Sequence, residues 1–131
     1  MKTTNNSNEM PKAVSYTKHL GMRVLTINYG VEKVDEPDEM NGKYRYASVT
    51  LPAGVMDYRT IVSAIVNNEY SNDEMQAVIN NYMLDPDDEE VRNEWDMMQA
   101  VRAYAKQLAH RYIDGLLTEN SPAPSCIQVA D

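Results

Sequence analysis

Residues 85–115 read DPDDEEVRNEWDMMQAVRAYAKQLAHRYIDG, and their spacing predicts one long helix from Asp85 to Gly115. Asp85 before Pro86 is a start signal, because proline at the first helical position gives up an N–H that would have no partner there. Asp87, Asp88, Glu89 and Glu90 set negative charge against the positive end of the helix dipole, while Lys106, His110 and Arg111 gather at the other end. Gly115 suits a helix stop. Val91, Trp95, Met98, Ala105, Leu108, Tyr112 and Leu116 recur every three or four residues as one apolar stripe. A helix of that length spans roughly 45 Å. It dominates a chain of 131 residues.

Working outward, Ser71 and Glu74 form a capping box, each side chain satisfying an end-of-helix N–H. Tyr70 and Met75 occupy the positions of the accompanying hydrophobic staple, and Met75, Val78, Ile79 and Tyr82 give a short helix its buried stripe. Further upstream Asp57 caps another helix, with Tyr58, Ile61, Val62, Ile65 and Val66 on its apolar side. Its β-branched residues also suit a strand, but the spacing and the cap favour the helix. Met22 to Tyr29 alternates as a strand, extended by Val31 to Val34. Lys43 to Leu51 alternates as a second, with Tyr44, Tyr46, Ser48 and Thr50 opposite Arg45, Ala47, Val49 and Leu51. The connection Asp35 to Gly42 ends in Asn41-Gly42, a turn signal. The expected fold is α+β: an antiparallel β-hairpin packed on three helices, the last long and amphipathic. Residues 1–19 are expected to be a flexible leader, 20–117 a single domain, and 118–131 a flexible tail.

The net charge is −8, with nine tyrosines, nine methionines and no phenylalanine. Residues 1–60 hold eight Lys/Arg against seven Asp/Glu, and residues 61–131 hold four against thirteen. An acidic body argues against nonspecific nucleic-acid binding, which needs a basic footprint. No apolar run approaches the length of a membrane span. One cysteine, Cys126, allows neither an internal disulfide nor a zinc site built on cysteine pairs.

Asp85, Asp87, Glu89, Asn93 and Asp96 fall at positions of a calcium-loop spacing. Pro86, Glu90 in place of the required glycine, and an aspartate at the last position break that pattern. His19 and His110 are the only histidines, and His110 complements a helix C-terminus. No phosphate loop, nucleophile elbow or paired-histidine helix is present, so no catalytic residue, cofactor or metal is expected. Arg102, Lys106 and Arg111 lie in an acid-free stretch that offers a small docking patch. Trp95, Met97, Met98, Val101 and Tyr104 lie on adjoining faces of the long helix, more apolar surface than a hairpin and two short helices can cover. They are the candidate interaction residues, for a protein partner or a second copy in a homodimer. The alternative cover is the leader, through Val14, Tyr16 and Leu20.

Residues 46–109 resemble a family of small proteins carried by Bacteroides-type bacteria and their prophages. The resemblance is carried by Ser48 to Pro52, Gly54, Asp57, Tyr58, Ile61 to Ile65, Tyr70 to Asp73, Ile79 to Tyr82 and Asp85 to Glu90. Trp95, Arg102, Tyr104 and Leu108 are similar to the terminal helix of phage tail-assembly chaperones, with departures at Val101, Lys106 and Gln107. These resemblances imply a non-enzymatic protein-interaction module in virion assembly or an accessory role, in the host cytoplasm or the virion. An acidic decoy that inhibits a host factor is the second expectation.

Overall fold

The computed structural model describes residues 4–37, 42–52, 54 and 57–125. Asn41 of the expected turn and Cys126 lie outside them. The order is β1 (Thr4–Ser7), β2 (Val14–His19), β3 (Met22–Lys33), β4 (Tyr44–Pro52), α1 (Tyr58–Glu69), α2 (Asn72–Leu84) and α3 (Glu89–Ile113), an α+β fold. The strands form one antiparallel sheet in the order β1-β4-β3-β2. The expected hairpin is its central pair. On that pair the alternation puts Leu25, Ile27 and Tyr29 of β3 on the buried face with Ala47, Val49 and Leu51 of β4. Gly30 takes a φ of +67° at the bulge between Tyr29 and Glu32, a backbone region open to glycine and strained for other residues.

The expected leader is corrected: β1 and β2 lie within residues 1–19 and form both edges of the sheet. A lone hairpin is marginal in water, and two more strands supply the pairing it needs. Val14 is buried, and the Tyr16 hydroxyl lies 3.3 Å from that of Tyr112 on α3. Leu20, the third expected covering group, is instead 90% exposed. The tail through Ser125 is likewise corrected. The Ala123 N–H donates to the Pro11 carbonyl, that of Ala13 to Ser121, and that of Val31 to Pro124, with Leu117 and Ala123 buried.

Asp57 caps α1 by accepting the Arg59 N–H, and the Ser71–Glu74 capping box opens α2. The long helix starts three residues later than Asp85 to Gly115 implied. Asp85 ends α2 and forms a turn with Asp88, which caps α3 by accepting the Val91 N–H. Proline is equally at home as the second residue of a turn, and reversing the chain between antiparallel helices requires that turn. At the far end Gly115, with φ +77°, closes α3. The Leu116 N–H reaches the Arg111 carbonyl and the Gly115 N–H that of Tyr112. Beyond this stop the helical period no longer applies, so Leu116 of the expected stripe faces solvent and Leu117 is buried instead.

The main core joins the sheet to α1, through Ile61, Ile65 and Val66, and to the C-terminal half of α3, through Ala105, Leu108 and Ala109. The N-terminal half of α3 carries α2, whose one buried residue is Val78. Tyr82 and Trp95 stack across that pair, with ring centroids 4.4 Å apart and planes 10° apart. This helix pair is an arm beside the main core, which α2 touches through Met75.

Candidate functional site

The five expected interaction residues part company. Met98 is fully buried and Val101 is 5% exposed. Tyr104 packs against the core, its hydroxyl accepting the Gly30 N–H at 3.1 Å and donating to the Ser125 carbonyl at 2.6 Å. Trp95 is half-buried in its stack on Tyr82. Only Met97, 42% exposed, stays on an open surface. The apolar excess on α3 has an internal cause, since α3 packs against both α1 and α2.

Met97 belongs to a groove along the α2/α3 seam, about 580 Å³ in volume. Its floor is Tyr70, Ala77, Val78 and Met97, and its rim is Glu74, Glu90, Asn93 and Glu94. Turn spacing explains the layout: Glu90, Glu94 and Met97 follow at four and three residues on one face of α3, and on α2 Ala77 and Val78 lie three and four residues after Glu74. Among the described residues, no cation pairs with Glu90 or Glu94. Glu74 accepts the Ser71 N–H, and that bond, with the Ser71 side chain, holds its carboxyl below the usual range. The Tyr70 phenol is shifted upward, first by burial and then by the charges of Glu69, Glu74 and Glu94. The groove is thus apolar below, and its rim carries one sign of charge.

No family model, curated protein or solved structure matches this chain. Its function has to be read from its own surface.

The remaining expected sites are scattered. Asp85, Asp87, Glu89, Asn93 and Asp96 spread over a turn and the first turns of α3. Among the described residues no group of three His, Cys, Asp or Glu converges as metal ligands. His110 is exposed in the last turn of α3, its ring 4.5 Å from that of Tyr58, and His19 lies in β2. Arg102, Lys106 and Arg111 are exposed on α3. No helix among the described residues is long and apolar enough to cross a membrane. A second concavity, about 550 Å³, lies beside the β2 edge between Tyr16, Tyr112 and Leu117, and its rim is mixed.

Sequence reasoning missed Glu90 as a site residue because helix-dipole complement already accounted for an acidic first turn, and Glu94 because it lies one turn further on and belongs to no motif. Their register with Met97 was the available signal.

Proposed function

We propose that this chain is a non-enzymatic protein-interaction module that docks a partner in the α2/α3 groove, serving assembly or accessory work on a phage particle. The observation that carries the docking reading is the groove: apolar floor, open to solvent, on an arm outside the main core. Burying Met97, Ala77 and Tyr70 under a partner would remove apolar surface from water, at about 25 cal/mol per Å². The carboxylate rim would orient that partner and speed its encounter. The phage setting rests on the resemblance of residues 46–109. The same rim also favours a decoy for a basic site on a host factor. A decoy led by charge loses affinity steeply as salt rises, and an assembly contact led by the apolar floor loses much less.

A photo-crosslinking residue in place of Met97, expressed in the native host, tests the reading. It should yield a discrete adduct, and the same probe at Thr50 on the solvent-facing side of the sheet should yield none. If neither position gives an adduct, the groove does not dock a protein.

A further inference from the structure

The turn between β2 and β3 has two residues, Leu20 and Gly21, between the paired His19 and Met22. Both have positive φ, +52° and +79°. Such a turn favours asparagine or glycine at its first position, and a leucine there is strained. This leucine covers nothing, being 90% exposed, and Met22 beside it is 65% exposed. One step behind, Lys18 and Arg23 face each other across the strands, and both are exposed. Among the described residues neither pairs with a carboxylate, and Arg23 rests over the Tyr16 ring at 4.3 Å. In a chain of net charge −8, this hairpin tip is apolar and cationic.

It complements the groove in both respects. The groove has room for an aliphatic side chain or two, and Glu90 and Glu94, without a cation among the described residues, match Lys18 and Arg23, without a carboxylate among them. Tip and groove also lie at opposite ends of the molecule. Tyr16, near the tip, meets Tyr112 at the C-terminal end of α3, Tyr29 meets Tyr104 further along, and the groove begins only at Met97. Along α3, from Tyr112 to Glu94, that separation is roughly 27 Å. No chain can fill its own groove this way, whereas a neighbour can.

Resting on the docking reading above, we propose that the groove's occupant is the β2–β3 hairpin tip of a second copy of this chain, with Leu20 and Met22 over Met97 and Val78 and with Lys18 and Arg23 against Glu90 and Glu94. Tip and groove are different surfaces, so the contact either closes reciprocally, each tip in the other's groove about a two-fold axis, or propagates head-to-tail into a chain or ring. A two-fold contact through the groove itself would set carboxylates against carboxylates. A hairpin tip buries little surface, below about 1,200 Å² in total, so single contacts are weak.

Sedimentation across a concentration series up to roughly millimolar, at low and high salt, tests this. The weight-average mass should climb above that of the monomer at low salt and fall back as salt rises. Leu20→Asn should abolish the climb while raising the melting temperature, since it relieves backbone strain, so lost association cannot be blamed on lost folding. Glu90→Gln with Glu94→Gln should weaken association at least tenfold, and Asp114→Asn with Glu119→Gln, an equal charge change elsewhere, should not. A mixture of the Leu20 variant with the Glu90/Glu94 variant retains one good tip and one good groove, and should stop at a 1:1 dimer. A wild type monomeric throughout, or association indifferent to Leu20→Asn, overturns the proposal. In those cases an adduct from the Met97 probe to a different protein would keep the docking reading, and no adduct would remove both.

Discussion

The Tyr104 hydroxyl accepts the Gly30 N–H and donates to the Ser125 carbonyl, so one side chain ties the sheet bulge to the C-terminal segment. Tyr104→Phe keeps the ring against Tyr29 but removes the partner of the part-buried Gly30 amide and of the exposed Ser125 carbonyl. The expected loss is about 0.5–1.5 kcal/mol by urea unfolding, together with earlier proteolysis after Thr118. No loss would mean that water replaces the hydroxyl at no cost. Tyr112 makes a second residue-scale prediction. Burial, then the hydrogen bond and charge of Tyr16, push its phenol from 10.0 up to about 12. A raised value in the folded state favours the neutral form. Its contribution is therefore complete below pH 10 and drains away as pH rises toward about 12. Burial shifts Tyr29 upward as well, despite its bond from Asn68, so it adds a loss of the same sign. Stability should fall across that window, and Tyr112→Phe should flatten the fall without abolishing it. An unchanged profile for the variant would detach Tyr112 from the effect.

At the scale of elements, what could be read from the sequence depended on how local the deciding contact was. The Asp57 cap and the Ser71–Glu74 box involve neighbours three residues apart or fewer, and both were legible. So was the central hairpin, where period-2 alternation continues through Leu25, Ile27 and Tyr29. The edge strands were not, because β1 is Thr-Asn-Asn-Ser and β2 has only Val14 and Tyr16 as apolar alternates. Their pairing is set by partners elsewhere in the chain, such as Ser48, which accepts from the Asn5 amide. The start of α3 was ambiguous for another reason, since Asp85-Pro86 suits a helix cap and a turn alike. That ambiguity is testable. Asp88→Ala should cost roughly 0.5–2 kcal/mol through loss of the cap, and Asp85→Ala clearly less. Equal costs in thermal melts would move the helix boundary back to Asp85.

Across the whole molecule, apolar contact is unevenly shared. Leu25, Ile27, Tyr29, Ile61, Ile65 and Leu108 are all fully or nearly fully buried in one cluster, whereas α2 buries Val78 alone and exposes Met83 and Leu84. The candidate site lies on that thin arm. It was illegible in the sequence because the α3 residues that looked spare, Met98 and Val101, are the ones the fold uses. Segments with few buried contacts open at low free energy without unfolding the rest. Trp95 is the chain's one tryptophan and stacks on Tyr82 near the α2–α3 turn, so its fluorescence reports the arm. Circular dichroism reports all the helices together. In urea the tryptophan signal should change at a lower midpoint than the sheet amides measured by hydrogen exchange, and α2 amides should exchange well before Leu25 to Tyr29. Coincident transitions would make the chain a single cooperative unit. The Met97 groove would then be a fixed surface of the core, and not a docking site on a separable arm.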